Sequence, residues 1–263
     1  MTVRYEVDGA VATVTIDRLD VANAVDKETA DGLVEAFERF DADPDLSVAI
    51  LTGVGGKFCA GGDLKAMMEG RGITVTLDGP GPLGPTRMML SKPVIAAVEG
   101  NAVAGGLELA LWCDLRVAAR DATFGVYCRR WGIPLCDGGT VRLARQIGQS
   151  HALDMVLTGR GVRGEEAARM GLVNRLCEPG EALTEARALA ESLARLPQTC
   201  LRSDRQSLYE QWEVGLPAAL RRESELGLEV IRSASVADGL GRWSSKEWSL
   251  GDFGEASGRG RQG

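Results

Sequence analysis

One segment of the chain, residues 101–114, combines residue types that could do chemistry. It places two adjacent glycines, Gly105 and Gly106, ahead of an apolar helical run with one carboxylate, Glu108. The first N–H groups of a helix have no partner within the helix and lie at its positive end, so they attract negative charge. Gly105 has no side chain to keep a ligand oxygen away, and Glu108 faces the same side of the helix three residues later. The spacing predicts a reaction site that combines an anion-stabilising N–H with a proton-transfer group.

A purely structural interpretation of this segment stays open. A Gly-Gly pair before a helix often serves close packing, and a helical glutamate is often solvated. The neighbours of Glu108 leave almost no polar face on this helix, and burying an unused charge is costly. These neighbours are Leu107, Leu109, Ala110, Leu111 and Trp112.

A second glycine-rich loop, residues 57–65, has the same design as the first. It follows an apolar, β-branched run and reaches Gly62 just before Asp63, which is placed to cap a short helix over residues 64–69. Gly62 thereby offers a second free N–H. Two such N–H groups form an oxyanion hole, in which each donor is typically worth a few kcal/mol to a transition state.

The elements that must position these loops alternate between strands and helices, and only helices follow. Apolar residues around Asp8-Gly9 predict a hairpin, and residues 70–85 are rich in Gly and Pro, so we expect a mobile loop there. This order predicts an α/β core, residues 1–195, and a C-terminal helical region, residues 196–263, with a flexible tail over residues 251–263. Besides the helix at Gly105, the predicted strands are 5–7, 11–17, 48–52, 94–98, 114–118 and 122–124, and the predicted helices are 27–40, 64–69, 138–147, 150–157, 181–196, 203–214, 218–231 and 235–243.

Composition narrows the function classes. The chain has 263 residues, 44% of them apolar and 25% charged, as in a globular protein. Its net charge of −7 and low aromatic content argue against a nucleic-acid partner, and no apolar run is long enough to span a membrane. No secretory h-region is present, so we expect a cytoplasmic protein. One histidine argues against a metal site, and the six irregularly spaced cysteines are interpreted mostly as small core residues.

Several short motifs in a fixed order make the chain resemble the crotonase, or enoyl-CoA hydratase/isomerase, superfamily. The resemblance implies a spiral of ββα repeats with a C-terminal helical region that builds homotrimers, often paired into hexamers. It also implies a coenzyme A thioester as substrate and no further cofactor. The motifs are residues 22–24, 58–65, 101–114, 124–125, 138–143, 157–159 and 167–174.

Matched position by position, the resemblance assigns the oxyanion N–H groups to Gly62 and Gly105. A thioester carbonyl polarised in this way acidifies its α-carbon and stabilises an enolate, and Glu108 could then act as base or acid on Cα, Cβ or a water. The residues implied in coenzyme A binding are Ala60, Gly62, Asp63, Leu64, Lys65 and Gly105.

The match departs from the family at Cys128. Hydratases of the family carry a second glutamate in a Phe-Gly-x-Pro-Glu pattern, and an ungapped match puts Cys128 at that position. Water addition requires that the proton of water be taken and that the α-carbon proton be managed, which two carboxylates do readily. One carboxylate alone must take both roles in a concerted step or recruit help. A thiol, with an ordinary pKa near 8.5, substitutes poorly unless a cation lowers that pKa. We therefore favour a pocket-lining role for Cys128, with catalysis as the alternative.

Asp137 is the best substitute for the missing carboxylate, because its loop usually borders the active site in this superfamily. It directly precedes Gly138 at a predicted helix start, and as an N-cap it would need no catalytic role. We favour the N-cap. Tyr127 and Trp131 either shape the acyl pocket or pack in the core, and Glu99 is expected to pair or cap rather than react.

The first functional hypothesis is an enoyl-CoA hydratase that uses Gly62, Gly105 and Glu108. The alternatives within the fold are an enoyl-CoA isomerase, a decarboxylase and a thioester hydrolase; isomerisation needs only one base. A non-catalytic acyl-CoA-binding protein is the alternative of a different class, although a binder has no need of a buried Glu108.

Overall fold

A computed structural model describes residues 1–245 of the chain. Two compact units divide it: the first is Met1–Arg195, and the second begins at Leu196. The predicted flexible tail, residues 251–263, lies outside the described residues. None of the helices within residues 1–245 is both long and apolar enough to cross a membrane.

Strands and helices alternate through the first unit, and the second is helical as far as it is described. The strands are β1 (Val3–Asp8), β2 (Val11–Ile16), β3 (Val48–Gly53), β4 (Val94–Val98), β5 (Asn101–Val103), β6 (Leu115–Ala119), β7 (Thr123–Gly125), β8 (Gly161–Arg163) and β9 (Arg175–Cys177). The helices of the first unit are α1 (Lys27–Ala42), α2 (Leu64–Met68), α3 (Gly105–Trp112), α4 (Gly139–Ile147), α5 (Gln149–Thr158), α6 (Gly164–Arg169) and α7 (Ala182–Ala194). Those of the second are α8 (Gln198–Glu210), α9 (Leu216–Arg232) and α10 (Ala234–Ser244).

The larger sheet has the strand order β1-β2-β3-β4-β6-β9. The predicted hairpin around Asp8-Gly9 is confirmed: β1 and β2 are antiparallel, with Val3 opposite Ile16, and every later pairing in this sheet is parallel. The smaller sheet, β5-β7-β8, consists of three-residue strands. Strands β5, β8 and β9 and the short helix α6 were missed in the sequence, because three to six residues give too little periodicity to detect.

Both faces of the larger sheet are covered. Val48 and Ile50 of β3 face α7, whereas the alternate residues Ala49 and Leu51 belong to the main core with α1 and α3. Parallel strands that are buried on both faces are apolar throughout rather than alternating, which explains the uninterrupted run Val-Ala-Ile-Leu of β3. Helix α2 follows β3 and helix α3 follows β5, so the amino end of each helix lies where the chain leaves a strand.

A buried arginine fixes the carboxyl end of α3. The Arg116 guanidinium donates from Nη1 to the carbonyl oxygens of Ala110 and Cys113 (3.2 and 2.8 Å) and from Nε to that of Leu172 (2.6 Å). A cation at this end of a helix also complements the helix dipole. Arg116 thereby holds the far end of the helix that carries Gly105 and Glu108.

We expect Arg116→Met to lower the free energy of unfolding by about 3 kcal/mol, because it leaves several buried carbonyl groups without a donor. Equilibrium urea unfolding followed by circular dichroism measures this loss. Arg175→Met is the matched control, since the Arg175 side chain is exposed and, among residues 1–245, its guanidinium donates to the carbonyl oxygen of Asn174 alone. We expect this control to change the free energy by less than about 0.5 kcal/mol. Equal losses in both variants would contradict the anchoring role.

Candidate active site

Main-chain hydrogen bonds hold the two glycine-rich loops side by side. The N–H of Cys59 donates to the carbonyl of Asn101 (2.9 Å), and the N–H of Val103 donates back to the carbonyl of Cys59 (3.1 Å). At Gly61, which has a φ of +97°, the two chains approach so closely that a Cβ would lie 2.8 Å from the nitrogen of Gly105. Only glycine adopts this conformation and fits this space. The loop glycines singled out in the sequence are therefore neighbours in space.

The N–H groups of Gly62 and Gly105 are available to a ligand. Within residues 1–245, neither of them donates a hydrogen bond, and both glycines line the same cavity. Ala104, just before Gly105, has a φ of 53° and a ψ of −125°, a conformation that alanine rarely adopts. The N–H of Ala104 donates to the carbonyl of Gly125 (2.8 Å), which helps to hold this strained turn.

A helix cap and ion pairs hold the loop that contains Gly62. The predicted cap is confirmed, because Oδ1 of Asp63 accepts from the N–H of Ala66 (3.0 Å) at the start of α2. The Arg18 guanidinium lies 3.0 Å from Oδ2 of Asp63 and 3.0 Å from Oδ2 of Asp26, the cap of α1. The carboxylate of Asp63 is thus engaged in structure, and neither Asp63 nor the exposed Lys65 lines the cavity.

Glu108 is almost fully buried, with 3% of its surface exposed. Its Oε1 accepts hydrogen bonds from the N–H groups of Asp137 (2.8 Å) and Gly139 (2.9 Å), and neither bond uses Oε2. Burial, aided by the charge of Asp137, raises the pKa of Glu108 to about 7, while these N–H donors oppose the rise. A carboxyl group with this pKa can both accept and release a proton near neutral pH.

The interpretation of Asp137 as a helix cap is wrong. Gly138, with a φ of +88°, occupies the cap position of α4 and moves Asp137 out of it. Oδ1 of Asp137 instead accepts from the N–H of Leu83 (2.9 Å) and from the hydroxyl of Thr86. Burial raises the pKa of Asp137, although these hydrogen bonds oppose the rise. Asp137 therefore joins the 83–86 segment to the main chain that holds Glu108.

The cavity has a volume of about 430 Å³ and is mainly apolar. Of the residues predicted to bind or react, the cavity wall contains Ala60, Gly62, Leu64, Gly105, Glu108, Cys128 and Asp137. Tyr127 and Trp131 belong to this wall too, and the remaining lining residues are Met67, Ile73, Val75, Leu83, Val103, Ala104, Gly132, Ile133, Pro134 and Cys136.

Cys128 is buried in the cavity wall. Burial and the charge of Glu108 raise the pKa of its thiol, which is the opposite of what a reactive thiolate needs. This direction of the pKa shift supports a pocket-lining role for Cys128.

Across residues 1–245, no group of three or more His, Cys, Asp or Glu side chains is arranged to hold a metal ion.

Several wall residues were missed in the sequence. Ile73, Val75 and Leu83 belong to the predicted loop 70–85, and nothing in their spacing indicates that the loop folds over the site. Cys136, which was not singled out among the six cysteines, is half-buried in the cavity wall. Glu99 behaves as predicted: its Oε1 accepts from the N–H groups of Gly180 (3.0 Å) and Ala182 (2.8 Å) at the start of α7.

Comparisons with known proteins agree with this arrangement. The family model for enoyl-CoA hydratase/isomerase matches residues 6–249. The enoyl-CoA hydratase EchA19 of Mycobacterium tuberculosis is 36% identical over 245 residues, or 90% of this chain and 91% of that protein. The carnitinyl-CoA dehydratase of Salmonella arizonae is 43% identical over 196 residues, or 74% of this chain and 75% of that protein.

Solved structures show the same fold. The crystal structure of the enoyl-CoA hydratase EchA1 from Mycobacterium marinum matches with a TM-score of 0.89 at 38% identity, covering 93% of this chain and 96% of that one. The ββα architecture with C-terminal helices predicted from the sequence is thus confirmed. The chain belongs to the enoyl-CoA hydratase/isomerase family, within the crotonase superfamily of acyl-CoA-processing enzymes.

Proposed function

We propose that the protein is an enoyl-CoA hydratase that adds water across the double bond of a 2-enoyl-CoA with Glu108 as its acid/base group. The observation that carries the proposal is the meeting of two unpaired N–H groups, from Gly62 and Gly105, with a buried carboxyl group in one cavity. Relatives named as an enoyl-CoA hydratase and a carnitinyl-CoA dehydratase each match most of the chain, and these names support a reaction of the same type.

The two N–H groups bind the thioester carbonyl oxygen and stabilise the negative charge that develops on it. Water then forms a bond to Cβ while the Glu108 carboxylate takes its proton, and the π electrons move into the enolate. Glu108 returns a proton to Cα as the enolate collapses, so one carboxyl group serves both steps. This chemistry requires no cofactor besides the coenzyme A carried by the substrate.

Asp137 acts in this proposal as a positioning residue. Its N–H holds Oε1 of Glu108, and its side chain holds Leu83, which packs beside Gly105. Its negative charge also helps to raise the pKa of Glu108. Cys128 contributes the shape of the wall and no charge.

We expect kcat/KM to fall as the pH drops below about 7, because protonated Glu108 cannot accept the proton of water. Asp137→Asn keeps an oxygen for Leu83 and Thr86 but removes a negative charge, so the pKa of Glu108 falls and the acid limb moves to lower pH. Stopped assays of enoyl-CoA loss over a pH series measure the acid limb of kcat/KM for the wild type and for Asp137→Asn.

In the same assays, a positioning role predicts that Asp137→Asn lowers kcat by roughly tenfold or less at the pH optimum. A loss of about 10²-fold or more would instead identify Asp137 as a second acid/base group. A wild-type rate that falls as the pH rises through 7 would contradict Glu108 as the base.

The same samples test the reaction type, since the rival activities leave different products. Hydration yields a 3-hydroxyacyl-CoA, isomerisation moves the double bond, and thioester hydrolysis releases free coenzyme A. Acyl-CoA binding without any product would overturn the proposal in favour of a binding protein.

A further inference from the structure

The charged side chains on the cavity wall are all acidic. Among the described residues that line the cavity, the only charged side chains are those of Glu108 and Asp137, and both are acidic. No lysine, arginine or histidine within residues 1–245 lines the cavity. An anionic group inside would therefore meet two carboxyl groups and no cation.

Two arginines that act on the charge of Asp137 do not belong to the cavity wall. Arg142 lies beside Asp137, but its guanidinium donates to the main-chain carbonyls of Asp137 (2.8 Å) and Thr86 (2.6 Å), and it is not part of the wall. Arg87 influences the pKa values of Asp137 and Cys136, yet its side chain is exposed and lies outside the wall.

Apolar side chains form most of the wall, and several of them are exposed. Leu64 and Met67 are about two-fifths exposed, at 40% and 41%, and Val75 and Trp131 are exposed at 59% and 68%. Exposed apolar residues grouped around one cavity are typical of a ligand-binding groove. A neutral acyl group gains from this burial, whereas a carboxylate loses its hydration without a partner.

We propose that this cavity selects neutral, apolar acyl groups and rejects acyl chains that carry a carboxylate within two or three carbons of the double bond. The inference rests on the proposed function for its choice of coenzyme A thioesters. It extends that function by naming the substrate class. Selection arises from the absence of a cation as much as from the two acidic groups.

Binding of three isosteric, saturated thioesters tests the proposal without requiring turnover. The probes are the coenzyme A thioesters of adipic acid, of its terminal monoamide, and of the matching acid that ends in an isopropyl group. By isothermal calorimetry we expect the adipoyl thioester to bind at least about 30-fold more weakly than the isopropyl one, with the amide between them. An adipoyl affinity within about threefold of the amide would overturn the proposal.

A matched pair of variants tests whether the charge of the cavity wall causes the weaker binding of the adipoyl thioester. Val75→Lys places a cation on the cavity wall, whereas Leu77→Lys adds the same charge in the same loop at a 95% exposed side chain outside the wall. The quantity compared is the ratio of the affinity for the isopropyl thioester to that for the adipoyl thioester. We expect Val75→Lys to reduce this ratio at least about tenfold and Leu77→Lys to leave it unchanged. Equal effects of both lysines would overturn the local explanation.

The unsaturated forms of the three thioesters separate this inference from the proposed function. If none is hydrated while the affinities keep the expected order, the proposed function fails and the selectivity stands. If the enoyl forms are hydrated but the three affinities are equal, the selectivity fails and the proposed function stands.

Discussion

Replacing Glu108 with glutamine should lower kcat for enoyl-CoA hydration by about 10³-fold or more, because the amide cannot accept the proton of water. The glutamine oxygen can still accept from the N–H groups of Asp137 and Gly139, so the wall of the cavity should keep its shape. We therefore expect the affinity for a saturated acyl-CoA to stay within about threefold of the wild-type value. Loss of enoyl absorbance measures the first quantity, and calorimetry measures the second.

Glu99→Gln is the matched control for this variant. It makes the same chemical change at a carboxylate that caps α7 and does not line the cavity. Its kcat should remain within about twofold of wild type, even where the loss of the negative charge at the start of α7 lowers thermal stability. If Glu108→Gln kept more than about a tenth of the wild-type kcat, the base would have to be another group.

Removing the N–H of Gly105 should have the second largest effect, a fall in kcat of about 10²-fold to 10³-fold. Proline removes this N–H and is tolerated at the first position of a helix, which Gly105 occupies in α3. A Cβ at this position would lie 2.3 Å from Cδ1 of Leu83, so the change is made together with Leu83→Ala. The relevant measurement is kcat for the double variant Gly105→Pro/Leu83→Ala.

The double variant Gly105→Ala/Leu83→Ala isolates the N–H from the added side chain. Both double variants carry a Cβ and lack the leucine, but only the alanine form retains the donor. Thermal unfolding identifies any difference in folding between the two. Similar kcat values in two folded variants would show that the Gly105 N–H does not stabilise the transition state.

Much of the site could be predicted because its chemistry is local in sequence. Gly105 and Glu108 belong to one helical turn, and Gly62 directly precedes the cap residue Asp63, so short-range rules place each group on its element. The longer strands and helices were predictable for the same reason, since a regular pattern over neighbouring residues specifies them. The resemblance to a family then predicted that the loops of Gly62 and Gly105 contribute to one site.

The parts that escaped prediction depend on contacts between residues far apart in the chain. Asp137 has the composition and position of a cap, but Gly138 takes that place, and Leu83 and Thr86, more than 50 residues earlier, supply its partners. The loop containing Ile73 and Val75 joins the wall through long-range packing that leaves no periodic signal. Assembly into trimers or hexamers and a cytoplasmic location stay predictions.

Product analysis in water labelled with heavy oxygen tests the proposed hydration most directly. The protein is incubated with a neutral 2-enoyl-CoA, and the products are identified by mass spectrometry with fragmentation. We predict an intact coenzyme A thioester that carries the heavy oxygen at Cβ, formed by wild type and not by Glu108→Gln. Recovery of unlabelled thioester with a displaced double bond, or of a labelled free acid with released coenzyme A, would contradict hydration at this site.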